Sequence, residues 1–217
     1  MTEIWLIRHA QASFGAADYD RLSELGHRQS RWLGEFLRER GVRPARVVMG
    51  AQRRHRETAE GILEGLGLSD APAPESHRGF NEYDAGAILA EWLDGRERPA
   101  KEDRAAHFRA LSGALAAWQA GEIAGAERWA DFEARVAEAL AFAGAGEGPV
   151  LAITSGGAIG QTVRAALEAP PAAMIRAHMQ VKNAGFSRLH AARGGPRLTT
   201  FNETPHLDPR PGAVTWS

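Results

Sequence analysis

The chain has 217 residues, 44% hydrophobic and 24% charged, the mixture of one ordinary globular domain that can bury a core without disulfides or a structural metal. Lys+Arg 26 against Asp+Glu 27 leave a formal net charge of -1, so no bulk attraction to nucleic acid or to an anionic membrane follows. The absence of cysteine excludes disulfide scaffolds, thiolate zinc sites and every cysteine nucleophile, the cysteine-dependent phosphatases among them.

Four short apolar runs predict strands, at 4–7, 46–49, 150–154 and 186–190, with a weaker fifth at 198–201. Between the first two, Ser23 caps a helical pattern through Arg40, with Trp32, Leu33, Phe36 and Leu37 at helical spacing and Gly41 as the stop. A second pattern follows at 54–66, and a third at 157–167 ends on Pro170-Pro171. Strands alternating with helices predict a three-layer α/β/α sandwich around a mostly parallel sheet. Residues 87–142 break the rhythm: Ile88/Leu89/Trp92, Phe108/Leu111/Leu115/Trp118 and Trp129/Phe132/Val136/Leu140 are apolar clusters at helical spacing. They read as a helical insertion over the C-terminal edge of the strands, its aromatics serving as core contacts for its own helices. Residues 144–148 read as a flexible lead into the next strand, and the Pro-rich tail from Pro205 as irregular. The expectation is one domain over 1–217.

The first apolar run is closed by Arg8 and is too short for a signal-peptide core, and no stretch approaches the ~20 apolar residues that span a bilayer. The default expectation is a cytoplasmic protein with no nucleic-acid or membrane partner. Its oligomeric state is not legible.

Ligands of open α/β sheets bind beyond the carboxyl ends of the strands. Here the first strand ends in Arg8-His9-Ala10-Gln11, the second runs into Gln52-Arg53-Arg54-His55-Arg56-Glu57-Thr58-Ala59, and the third gives Thr154-Ser155-Gly156-Gly157 and opens a helix. One sheet edge thus gathers a histidine, several arginines and a glycine-rich helix N-terminus, a set that suits an anion and phosphate best. Lys101 and Lys182 are the only lysines, so the basic charge is almost all guanidinium, whose planar fork matches phosphate oxygens. A neutral imidazole held at a strand end attacks phosphorus without prior deprotonation. Flanking guanidiniums hold the equatorial oxygens, and a carboxylic acid such as Glu82 can protonate the leaving oxygen. Singly, each residue has a blander reading: a structural Arg–His pair, a solvated helix face for Arg53, Arg54 and Arg56, a surface carboxylate for Glu82, a tight turn for 154–157. Their recurrence at one edge favours the chemical reading.

Taken in order, these motifs resemble the histidine phosphatase superfamily, the phosphoglycerate mutase-like proteins. Arg8-His9-Ala10 is similar to the family's Arg-His-Gly, and Leu22-Ser23-Glu24-Leu25-Gly26-His27-Arg28-Gln29 to its Leu-Thr-x-x-Gly-x-x-Gln segment. Arg54 with Glu57-Thr58-Ala59-Glu60 is similar to the segment carrying the second phosphate-binding arginine, and Glu82 with Gly86 to the Glu-x-x-x-Gly motif of the acid. The resemblance runs from about residue 4 to 207. It implies a single phosphoglycerate mutase-like domain that forms a phosphohistidine on His9. Arg8 and Arg54 would grip the phosphoryl group, Ser155 and Gly156 would add contacts, and Glu82 would act as the acid, with no metal and no cofactor. The expected activity is a phosphatase acting on a small phosphomonoester. A mutase-type phosphotransferase and a catalytically weakened phospho-ligand binder are the alternatives.

The chain departs from the family pattern in four places. Ser155 stands where the family has a second histidine, a lost charged contact worth roughly 10²–10³ in rate. Ala10 replaces a glycine, which is tolerable; Gly15 stands where many members carry a phosphate-contacting asparagine; His55 replaces an alanine beside Arg54. A displaced histidine would restore the missing one. His55, His178 and His206 are the candidates, although an isolated histidine on a helix or tail is ordinarily polar filler. Asp18-Tyr19-Asp20 superficially resembles a paired-aspartate phosphotransferase motif, but it falls in a loop and is set aside.

Overall fold

The computed structural model describes residues 2–13, 20–100, 103–192 and 194–216. Strand β1 (Glu3–Arg8) sits at the middle of a six-stranded sheet with β2 (Arg46–Met49), β3 (Pro74–Ser76), β4 (Val150–Thr154), β5 (Phe186–His190) and β6 (Arg197–Glu203), in the order β3-β2-β4-β1-β5-β6. β1 pairs in parallel with β4, β4 with β2, and β2 with β3; β5 runs antiparallel to both β1 and β6. Five strands therefore share one direction. All five expected strands form, and β3 is an addition: it opens on Pro74, which an edge strand tolerates because the missing N–H faces no partner.

Side chains alternate along β1, and the alternation builds the layers. Ile4 and Leu6 pack with Val48, Ala152, Ile159 and Val163 on one face; Trp5 and Ile7 pack with Leu33, Leu37, Ile62 and Leu66 on the other. Helices α1 (Glu24–Glu39) and α2 (Arg53–Leu66) cover the second face. Ser23 caps α1, its hydroxyl accepting the Gly26 N–H at 3.0 Å. On the first face lie α5 (Trp129–Gly144), α6 (Gly156–Ala166) and α7 (Ala172–His178). Helix α7 was not expected: Pro170-Pro171 read as a stop, yet Pro171 is the cap of the next helix, a position its fixed φ suits.

Helices α3 (Ala85–Trp92) and α4 (Arg104–Ala120) complete the helical segment. Ile88, Leu111, Leu115, Trp118, Trp129, Phe132 and Val136 form one cluster with Tyr83 and Met174, as core contacts should. Two residues read as part of that core go elsewhere. Phe108 is 42% exposed, and Leu140 faces the sheet because α5 runs on from the strand ends across the sheet face. Among the described residues no helix is long and apolar enough to cross a membrane.

Candidate active site

Two backbone bonds fix His9 just beyond β1. Its N–H donates to the Thr154 carbonyl at 2.8 Å and its own carbonyl accepts from the Ala184 N–H at 3.2 Å. The ring is buried, with Nδ1 2.8 Å from the Ala10 carbonyl. A carbonyl only accepts, so Nδ1 carries the proton and Nε2 keeps its lone pair. Burial, then the Arg54 and Arg8 guanidiniums, then His55, hold the imidazole well below its ordinary pKa, so it is neutral at pH 7. That is the protonation state a nitrogen nucleophile needs.

Both expected arginines are at the site and buried. Arg8 donates through Nη1 to the Val181 carbonyl and, at 3.0 Å, to the Trp216 carbonyl, so the C-terminal tail reaches the site. Arg54 donates to Asp20 at 2.6 Å, to the Gln52 side-chain oxygen at 2.9 Å and to Ser155 Oγ at 3.4 Å. Arg53 and Arg56 form i,i+4 pairs with Glu57 and Glu60 on the exposed side of α2, the plain surface role weighed for them.

Glu82 follows a short 3-10 turn (Arg78–Phe80). Its carboxylate accepts the Gly157 N–H at 3.0 Å and the Tyr83 N–H at 3.2 Å, which docks it on the first turn of α6. Both glycines of that turn are sterically required. A Cβ on Gly157 would lie 2.2 Å from Glu82 Oε1, and one on Gly156 would lie 2.6 Å from the His178 ring.

The three candidate histidines part company. His55 Nε2 lies 2.7 Å from Ser155 Oγ, and its ring centre is 5.7 Å from that of His9. His178 stands on the other side, Nε2 4.0 Å from Glu82 and Nδ1 3.0 Å from the Tyr83 hydroxyl. His206 is remote from the reacting groups, stacked on Phe186 and beside Phe36.

Two residues passed over in the sequence belong here. Gln52 Oε1 takes both Arg54 Nη2 and the Glu82 N–H (3.0 Å), tying the cation to the acid. Asp20, set aside as loop sequence, accepts from Arg54 and from the Arg53 N–H at 2.8 Å. For Gln52 the available signal was an amide placed just before a basic helix start; Asp20, 33 residues upstream of Arg53, carried none. Gly15, Asp18 and Tyr19 lie outside the described residues. Among the described residues no group of three or more His, Asp or Glu side chains is placed to hold a metal ion.

The family model of the histidine phosphatase superfamily (branch 1) matches residues 4–204. The chain belongs to that superfamily. Membership makes it an enzyme of the phosphatase type, and solved structures agree on the fold. YhfR of Bacillus stearothermophilus superposes with a TM-score of 0.69 at 19% identity, covering 96% of this chain and 100% of that one. A mycobacterial glucosyl-3-phosphoglycerate phosphatase superposes with 0.60 at 25% identity, over 93% and 99%. The phosphoserine phosphatase of Entamoeba histolytica, a mutant solved with phosphoserine, does so with 0.62 at 17%, over 95% and 100%. No curated protein matches the sequence.

Proposed function

We propose that this single-domain chain is a cofactor-independent phosphatase that hydrolyses a small phosphomonoester through a phosphohistidine on His9. The observation that carries the reading is the His9 ring: buried, neutral, its proton committed to the Ala10 carbonyl and its Nε2 lone pair available beside two guanidiniums.

In the first step Nε2 attacks phosphorus, the N–P bond forms and the P–O ester bond breaks; Glu82 gives its proton to the leaving oxygen. Arg8 and Arg54 balance the charge on the equatorial oxygens, with Ser155 and the N-terminus of α6 at Gly156 beside them. In the second step water attacks the phosphohistidine, Glu82 takes a proton from it, and inorganic phosphate leaves with His9 neutral again. A small substrate is supported by the relatives' own ligands, phosphoserine in one and inorganic phosphate in another.

The test is hydrolysis of p-nitrophenyl phosphate by the native protein and by His9→Ala, with an acid-labile phosphoenzyme trapped in parallel. Turnover and a trapped phosphoenzyme in the native protein, both lost in the variant, are expected. Equal rates in the two proteins would overturn the reading.

A further inference from the structure

Ser155 and His55 are both fully buried, 2.7 Å apart, and the reaction as written above gives His55 no part. Ser155 follows β4 as His9 follows β1: Arg8 and Thr154 face each other in the parallel register, so the residue after each strand emerges at the same edge. A serine at a helix N-cap ordinarily accepts an N–H from the first turn. Ser155 holds the N-cap of α6 and makes no such bond; its hydroxyl turns to His55 and Arg54 instead. The end of β2 is shaped around the imidazole as well. A Cβ on Gly50 would sit 2.1 Å from His55 Nδ1 and 2.9 Å from the Phe80 carbonyl, so only glycine leaves room for the ring.

Proton counting gives this pair a direction. A hydroxyl has one proton and two lone pairs. Arg54 Nη2, at 3.4 Å, can only donate to it. When His55 Nε2 also donates, the accepting capacity of Oγ is filled and its proton is left for an oxygen lying towards His9. In the opposite tautomer the serine spends its proton on Nε2 and offers nothing to an anion. An anion near His9 therefore favours the first arrangement.

We propose that His55 and Ser155 form one relay, His55 donating Nε2–H to Ser155 Oγ and Ser155 donating its hydroxyl proton to an equatorial oxygen of the phosphoryl group on His9. His55 is then a positioning residue that acts through Ser155, and the pair does with two side chains what one longer donor at the end of β4 would do. The inference rests on the phosphatase reading and deepens it. Burial beside Arg54 keeps His55 neutral in the free protein, so the relay changes tautomer rather than charge.

The experiment compares kcat and KM for p-nitrophenyl phosphate in the native protein, His55→Ala, Ser155→Ala, the double variant and His55→Gln, whose amide nitrogen can donate from about the position of Nε2. Thermal melts of each run alongside. Each alanine variant is expected to lose about 10–10² in kcat with little change in KM. The double variant should be no slower than the worse single variant, because both remove the same hydrogen bond to substrate. His55→Gln should recover part of the loss. Multiplying effects, native kcat in His55→Ala, or a well-folded His55→Gln as slow as His55→Ala would each overturn the relay.

A second arm needs no turnover. Nitrogen-15 spectra of the His55 ring, with and without orthovanadate, should show Nε2 protonated when the anion is bound; an unprotonated Nε2 in the vanadate complex would overturn the relay. If native protein and His9→Ala hydrolyse alike, the phosphatase reading falls, and this arm still judges the relay as an anion contact.

Discussion

Glu82 Oε2 and the Gly157 amide are 3.0 Å apart, a hydrogen bond between residues 75 positions apart in the chain. It joins the loop after the 3-10 turn to the first turn of α6, the helix that begins beside His9. The site is thereby held from both faces of the sheet, through Arg54 on α2 and through α6, whose Gly157 N–H holds Glu82. Gln52 links the two by accepting from Arg54 Nη2 and the Glu82 N–H.

The close approach makes Gly157→Ala a sharp probe. The added methyl would lie 2.2 Å from Glu82 Oε1 and 2.4 Å from the Tyr83 ring, so the acid has to move. Overpacking of this kind costs about 1–3 kcal/mol. Urea denaturation should show that loss, and kcat should fall more than the stability change alone requires. Native kcat in the variant would show that Glu82 need not be held there.

Glu82→Gln keeps the size of the side chain and removes the acid. General acid catalysis contributes about 10²–10⁴-fold, and it matters least when the leaving group is itself a stable anion. The variant should therefore lose far more rate on glycerol phosphate, whose leaving group is an alkoxide, than on p-nitrophenyl phosphate. Equal losses on the two substrates would remove Glu82 from proton transfer to the leaving oxygen.

Stability should fall as pH is lowered. Burial, and then the Arg210 charge, hold His206 down to about 3. The unfolded chain takes up that proton near pH 6.5, whereas the folded protein does so only near the lower value. The stability tied to neutral His206 is thus complete above about pH 6.5 and is lost progressively as pH falls from there towards 3, at up to ~1.4 kcal/mol per unit. His9, His55 and His178 are shifted in the same direction by burial and add to the slope. Denaturation midpoints between pH 8 and 5 should be level at first and then fall, and His206→Leu should show a shallower fall. An unchanged slope in that variant would mean that His206 titrates normally in the folded state.

Trp118 anchors the helices beside the site. It is wholly buried, its ring centre lies 5.1 Å from that of Trp129 and 5.4 Å from those of Tyr83 and Phe132, and its indole N–H donates to the Glu127 carbonyl at 2.7 Å. Trp118→Ala should cost about 3–5 kcal/mol in urea denaturation. Because Tyr83 packs on Trp118 and directly follows Glu82, activity should fall as well, at temperatures where the variant is still folded.

Most of the architecture was legible in the chain. The runs at 46–49, 150–154 and 186–190 coincide with β2, β4 and β5 because short stretches with apolar residues between turn residues have few other uses in a globular protein. Strand β3 was not legible: Pro74, Glu75 and Ser76 carry no apolar pattern, and only pairing with β2 makes them a strand. The antiparallel sense of β5 was hidden too, since periodicity reports burial and not direction.

The candidate site residues divide in the same way. That Arg8, His9, Arg54 and the Ser155-Gly156 turn share one edge was legible because each lies at or just after the end of a predicted strand, and a sheet brings its strand ends together whatever their separation along the chain, whereas Glu82 was legible only through its motif with Gly86. Which of the three spare histidines meets Ser155 was not legible. His55 reaches Ser155 across 100 residues through the parallel register of β2 with β4 and the space left at Gly50, while an equally buried His206 stacks on Phe186 instead. Local pattern determines which residues point inward at the end of a strand; only register and packing decide which of them touch.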